Sequence, residues 1–194
     1  MIEETEKETI QTRMIELFDK KAYAAVTQVY NENKHLIEFD LDVIAYVVEC
    51  YMQLSNIHQA SLLVDQALHN LKKREDEGTL NTDDEDDFDC FLNYKLEILY
   101  EQNLHFYTLY FFYKYKHRIK DLNSVREYMD SSKIAIRKKL FLGTTSIAIS
   151  YWTLYHIFLK SVIPYSMGIT IEVSIFVWGI LYLVALKTVL NHKK

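Results

Sequence analysis

The sequence is poor in the two residues that most often form turns, with four glycines and one proline among 194 residues. Average proteins contain roughly 7% glycine and 5% proline. A β-rich fold needs many tight turns, and these are built largely from the two scarce residues. Their scarcity excludes most β architectures and predicts an all-α fold with long helices.

Cysteine is also scarce, since the chain has only Cys50 and Cys90. The two are too far apart for a CxxC motif, and they form no disulfide framework. None of the seven histidines belongs to an HExxH motif, and the chain has no glycine-rich phosphate loop and no GxSxG sequence. The sequence therefore predicts a protein that is not an enzyme, with no metal ion and no cofactor.

Charge is unevenly distributed along the chain. The formal net charge is −5, whereas the segment 140–194 carries four lysines and a single glutamate. The part of the chain that precedes this segment is therefore strongly acidic. Nucleic-acid binding requires a basic face, so the sequence predicts no nucleic-acid partner.

Two long apolar runs lie in the last third of the chain. Residues 140–159 contain no charged side chain, and a helix of that length spans about 30 Å, the thickness of a bilayer core. Residues 168–186 contain one acid, Glu172, and Pro164 favours a break between the runs. The sequence therefore predicts a two-span transmembrane hairpin within residues 137–194.

The charges that flank these runs predict an orientation. Arg137, Lys138 and Lys139 precede the first run and lysines follow the second, whereas the connection contains only Lys160. The four named residues would lie at the membrane interface. The positive-inside rule then places both termini in the cytoplasm.

Two ionisable residues would lie inside the spans. His156 and Glu172 are each eight residues from Pro164, so a hairpin would bring them to a similar depth. Two interpretations stay open. The side chains either reach towards the interface, with Lys160 available to Glu172, or form an intramembrane polar pair that fixes the hairpin or lines a polar path in an oligomer.

Residues 40–73 show the apolar periodicity of two helices joined by a short break at residues 54–56. Their pattern resembles the tetratricopeptide repeat (TPR), which has W-x2-L-G-x2-Y in its first helix and A-x3-F in its second. The residues that carry the resemblance are Ile44, Val47, Val48, Tyr51, Ala60, Val64 and Ala67. A shift by one TPR period, about 34 residues, places Ile10, Leu17, Tyr23, Val26 and Tyr30 at equivalent positions.

The resemblance implies TPR-like antiparallel helix pairs over residues 1–73. It also implies a scaffold function, because TPR domains generally bind other proteins and bring no catalytic residues. A partner helix or peptide would bind the concave face of the repeats. The candidate partner-binding residues are Tyr23, Tyr30, Tyr46 and Tyr51.

The region between the repeats and the apolar runs is predicted in two parts. Residues 74–90 are polar and mostly acidic, which is typical of an exposed loop, and they fit no EF-hand frame. Residues 91–118 contain no helix breaker and predict one long aromatic helix, followed by a juxtamembrane helix that ends near residue 136. Its aromatic end, residues 110–118, either packs against the repeats or lies against lipid headgroups.

These elements together predict a membrane-anchored cytosolic adaptor that binds a protein partner and recruits it to the lipid bilayer. One alternative is a membrane-acting effector, or its immunity partner, whose hairpin oligomerises. Another is an accessory subunit of a larger membrane complex. Polar residues in the spans favour the alternatives, and the repeat-like helices favour the adaptor.

Overall fold

The computed structural model describes residues 2–37 and 40–154, and all the regular elements in these ranges are α-helices. The all-α prediction is therefore confirmed for the described part of the chain. The chain divides into two compact units, Met1–Ser132 and Lys133–Lys194. The helices are α1 (Ile2–Asp19), α2 (Tyr23–Glu32), α3 (Lys34–Ile37), α4 (Leu41–Gln53), α5 (Ile57–Asp76), α6 (Thr82–Glu101), α7 (His105–Tyr115) and α8 (Arg126–Leu154).

The first unit is built from two layers of helices. Helix α1 packs against α2, α4 against α5 and α6 against α7, while α2 and α5 each pack against the next helix pair along the chain. Helix α1 also contacts α4, and α4 contacts α6. The helices α1, α4 and α6 therefore lie side by side in what we call the front layer, with α2, α5 and α7 behind them.

The three turns that leave the front layer have the same geometry. Each contains a non-glycine residue in the left-handed region, Lys21 (φ 56°), Ser55 (φ 57°) or Asn103 (φ 57°). The amide of that residue donates to the carbonyl three residues back, and the next amide donates to the carbonyl five residues back, at 2.8–3.0 Å. This is the Schellman pattern that ends many helices. It explains how the chain reverses direction with so few glycines.

The same turns mark a structural repeat. Five residues after each left-handed residue lies a buried side chain with no exposed surface, Val26, Ala60 or Thr108. Lys21 and Ser55 are separated by the same shift that relates the two repeats in the sequence, whereas Asn103 follows Ser55 at a longer spacing. The third pair, α6 and α7, is one that the sequence periodicity did not predict.

The bounds of the helices correct two predictions about residues 74–118. The segment 74–90 was predicted as a loop, but α5 continues to Asp76 and α6 begins at Thr82. Asn81 starts α6 with a reciprocal capping box to Asp84, and acidic residues in a first turn are favoured by the helix dipole. The single helix predicted over 91–118 is interrupted at Asn103, where the backbone adopts a left-handed conformation.

Basic side chains form ion pairs with carboxylates at the acidic start of α6 and at the end of α5. Asp84 is buried and pairs with Arg74 at the end of α5, while Asp86 pairs with Lys120. Arg118 pairs with Glu75 of α5 and lies 4.6 Å from the centre of the Phe88 ring. We call Glu75, Asp84 and Asp86, together with these basic partners, the fastened region, because these three carboxylates are paired within the fold.

The prediction of a multi-pass membrane protein with cytoplasmic termini is wrong for the described residues. No helix among them has both the length and the apolar character needed to span a bilayer. The part of α8 that precedes residue 140 is polar, and Arg137, Lys138 and Lys139 are exposed there.

Several of the predicted membrane features fall on residues that the structure does not describe. The second predicted span, residues 168–186, lies outside the described ranges. The same holds for Lys160 and for the predicted pair of His156 and Glu172.

Candidate functional site

Helix α4 has a buried side and an open side. Ile44, Val47 and Val48 are completely buried in the core. The open side follows the spacing of three or four residues that places side chains on one face of a helix. It consists of Asp42, Ala45, Tyr46, Glu49 and Gln53, all partly or fully exposed.

Helix α6 presents a similar open stripe. Its buried side chains include Phe91, Leu92 and Leu96. The opposite side carries a set of partly or fully exposed residues at helical spacing, namely Asp87, Cys90, Tyr94, Glu97 and Glu101. Because α4 and α6 lie side by side, the two stripes form one surface, which we call the front face.

Carboxylates on the two stripes are close enough to change one another's pKa. Burial raises the pKa of Glu97, and the charges of Glu49 and Glu101 raise it further, while a hydrogen bond from Tyr128 opposes the shift. Burial likewise raises the pKa of Asp87, with the charges of Asp42 and Asp84 adding to the effect and the charge of Arg74 opposing it. The front face is therefore a surface of mutually repelling negative charges that spans both helices.

The two thiols lie in the same electrostatic environment. Burial and the charge of Glu49 raise the pKa of Cys50 to about 12. Burial and the charges of Asp87 and Asp89 raise the pKa of Cys90 to about 11. Both thiols stay protonated at neutral pH, and a protonated thiol is a poor nucleophile.

The carboxylates of the front face form no ion pair with a described residue, and the nearest electrostatic influence of a cation is that of Arg74 on Asp87. In the described part of the chain, no Lys, Arg or His lies within 4.0 Å of Asp42, Glu49, Asp87, Glu97 or Glu101, although other carboxylates are paired. Lys95 illustrates the contrast, because it belongs to α6 but bonds to Asp65 of α5 at 2.6 Å rather than to a front-face carboxylate.

Asn93 adds an unsatisfied group of a different kind beside the stripe of α6. It lies three residues after Cys90 and four before Glu97. Its Oδ1 atom is buried and accepts no hydrogen bond from any described residue. Buried acceptors without a donor are uncommon, and leaving one unsatisfied costs about 1–3 kcal/mol.

The four tyrosines that were predicted to bind a partner lie in different parts of the structure. Tyr46 is 38% exposed on the front face, with its ring centre 5.2 Å from that of Phe18 in α1. Tyr23 is partly buried beside the same phenylalanine. Tyr30 and Tyr51 are core residues, and the Tyr51 hydroxyl accepts a hydrogen bond from Asn31 at 3.2 Å. Only Tyr46 therefore enters the candidate site.

The front face was missed by sequence reasoning because half of it lies at or beyond the predicted loop. Asp87, Glu97 and Glu101 occupy one helical stripe only if α6 is recognised as a single helix from residue 82. Their spacing was the available signal, but the density of acids before residue 90 favoured a loop. Among the described residues, no group of three or more His, Cys, Asp or Glu side chains could hold a metal ion.

Comparisons with known proteins give no relative from which a function could be transferred. Protein-family models, curated proteins and solved structures all yield no match to this chain.

Proposed function

We propose that this chain is a helical-repeat adaptor, similar to TPR proteins, whose front face binds a protein partner. The observation that carries the proposal is the front face itself. It presents an exposed tyrosine and five carboxylates that form no ion pair within 4.0 Å in the described part of the fold. Partly exposed carboxylates without an ion-pair partner, whose pKa values are raised, are candidates for binding.

The repeat pattern supports the TPR-like part of the proposal. The second helix of each pair begins two residues after its left-handed residue, at Tyr23, Ile57 and His105. At the alanine position of the A-x3-F motif, Val26 and Ala60 are completely buried, and so is Thr108 in the third pair. Small or β-branched side chains there allow the helices of a pair to cross closely.

A site-specific crosslinking experiment in cells tests the proposal. A photoreactive benzoylphenylalanine replaces Tyr46 on the front face in one variant and Leu62 on α5 in the matched control. Both positions are well exposed, at 38% and 50%, but they belong to different layers. We expect Tyr46 to give one recurring heavier adduct whose partner is identified by mass spectrometry, and Leu62 to give none.

Two results would reject the proposal. One is the absence of any adduct from Tyr46 at normal expression of the chain. The other is the same adduct at equal yield from Leu62, because a partner that contacts both layers alike does not recognise the front face.

A further inference from the structure

We infer that α7 is the surface through which two copies of this chain associate, packed antiparallel about a two-fold axis. The front face lies on α4 and α6, whereas α7 belongs to the layer behind them. Three observations carry the inference. They are an exposed aromatic stripe on α7, the polar surface of the helix at the other end of the array, and charges of opposite sign at the two ends of α7.

The aromatic stripe consists of Phe106, Tyr107 and Tyr110, which are 60%, 64% and 66% exposed. These side chains are neighbours on one face of α7, because residues three or four apart lie next to one another on a helix. The other side of α7 is buried through Thr108 and Leu109. Aromatic rings dominate the energetics of protein interfaces, so three exposed rings on one short helix are a candidate contact surface.

No other helix of the three pairs exposes apolar side chains to this extent. Among the exposed side chains that the structure describes on α1, at the other end of the array, only Ile15 is apolar. Helices α2 and α5, in the same layer as α7, expose one large apolar residue between them, Leu62. Terminal units of helical arrays need a polar outer face to stay soluble. The first pair has that polar face and the third lacks it, so the third pair is the end that needs a cover.

Charge complementarity indicates that the cover is a second copy. Glu101 ends α6 just before the turn into α7, and Lys114 lies in the last turn of α7, four residues after Tyr110. Both are exposed, and neither forms an ion pair with a described residue. The length of α7, about 16 Å, keeps them apart within one copy. An antiparallel two-fold about the middle of the stripe brings Lys114 of each copy towards Glu101 of the other.

The size of the stripe predicts a weak dimer. The three rings expose roughly 400 Å² per copy, if a whole aromatic side chain is taken as about 200 Å². A standard interface buries about 800 Å² per partner, and weak transient ones bury less than about 600 Å². The stripe therefore supplies about half of a standard interface. We expect a dimer that dissociates in the micromolar range rather than the nanomolar range.

Sedimentation of the full chain over a range of concentrations measures the association. The stripe variant carries Phe106→Ser and Tyr110→Ser. The control variant carries Ile15→Ser and Leu62→Ser, which remove exposed apolar side chains from α1 and α5. We expect the dissociation constant to rise at least about tenfold for the stripe variant and less than about twofold for the control. All four positions are exposed, and circular dichroism verifies that both variants fold.

A charge exchange tests the antiparallel arrangement. Glu101→Lys and Lys114→Glu each place like charges opposite one another in a dimer of identical copies, so each variant alone should dissociate about tenfold more readily than the parent. A mixture of the two should recover the parental association, because both contacts of the mixed dimer then join opposite charges. Glu16→Lys and Lys20→Glu, on exposed residues at the end of α1, make the same changes in net charge and are the matched controls.

Several results would overturn the inference. One is a full chain that stays monomeric up to about 100 µM. Another is association that the stripe variant leaves unchanged, because the copies would then meet elsewhere. Charge variants that do not recover on mixing would reject the antiparallel pairing of two copies. Binding of a monomeric chain to vesicles of phosphatidylcholine and phosphatidylserine, lost in the stripe variant, would show that a lipid surface covers α7 instead.

Discussion

The front face and the fastened region are both rich in carboxylates, and yet they differ in how the fold treats them. In the fastened region Asp84, Asp86 and Glu75 each pair with a basic side chain. On the front face, Glu49 and Glu97 have no cation within 4.0 Å among the described residues. The comparison separates acids that are ion-paired within the fold from acids that form no ion pair with a described residue.

The largest expected effect is at Asp84, which tests whether the ion-paired carboxylates stabilise the fold. This carboxylate is buried, pairs with Arg74, and accepts the Asn81 amide at 3.0 Å. Asp84→Ala leaves both donors without their partner and should lower the free energy of unfolding by about 3 kcal/mol. Urea denaturation measures the loss, and the exposed neighbour Glu85→Ala is the control. A loss equal to that of the control would mean that the region is not fastened through Asp84.

The next effect concerns the packing on which both regions depend. Ala60 is completely buried at the crossing of the second helix pair. Ala60→Leu should overpack this crossing and lower the free energy of unfolding by about 2 kcal/mol. Thermal unfolding measures it, with Ala24→Leu at an exposed position of α2 as the control. An unchanged melting temperature would contradict the repeat alignment.

Glu97 should behave in the opposite sense to Asp84. Because its pKa is raised in the folded state, the folded protein is relatively more stable when Glu97 is protonated, and this advantage is lost as the pH rises through the folded-state pKa. Glu97→Gln mimics the protonated form. It should raise the free energy of unfolding at pH 7 by about 0.5 kcal/mol, with no gain at pH 4.

Urea denaturation of the parent and of Glu97→Gln at the two pH values tests this sign. A variant that is less stable than the parent at pH 7 would show that Glu97 contributes to the fold. It would then belong with the fastened acids rather than with those available to a partner.

An effect of similar size but opposite sign concerns a paired carboxylate close to the front face. Asp65 bonds to Lys95 at 2.6 Å, and Lys95 is a near neighbour of Glu97 along α6. Asp65→Asn should lower the free energy of unfolding by about 0.5 kcal/mol, and about 1 M salt should abolish the difference by screening. A stabilising effect of Asp65→Asn would erase the distinction between the two classes of acid.

The sequence predicted the fold best where local signals agreed. In residues 40–73 the apolar spacing and the short break at 54–56 both indicated a helix pair, and α4 and α5 lie there. The third pair escaped detection because Asn103 lies farther from Ser55 than one repeat period, so the shift that relates the first two pairs does not reach it.

The candidate site was harder to predict because it is assembled from distant parts of the chain. Asp42 and Asp87, or Glu49 and Glu97, are far apart in sequence and become neighbours only through the packing of α4 on α6. The positions of the tyrosines in the sequence were also an ambiguous guide to the binding residues. They included that of Tyr46, which is exposed on the front face, but they could not distinguish that residue from Tyr51, which faces the core.

The layered arrangement of the first unit also determines how it unfolds. Among the described helices, the main contacts lie within each pair and between pairs that are neighbours along the chain, so the unit approximates a one-dimensional array whose stability is a sum of pair and interface contributions. The middle pair, α4 and α5, has an interface on both sides, whereas the first pair has only one. We therefore expect amide hydrogens to exchange slowest around Val47, Val48 and Val64, and opening to begin from α1 and α2.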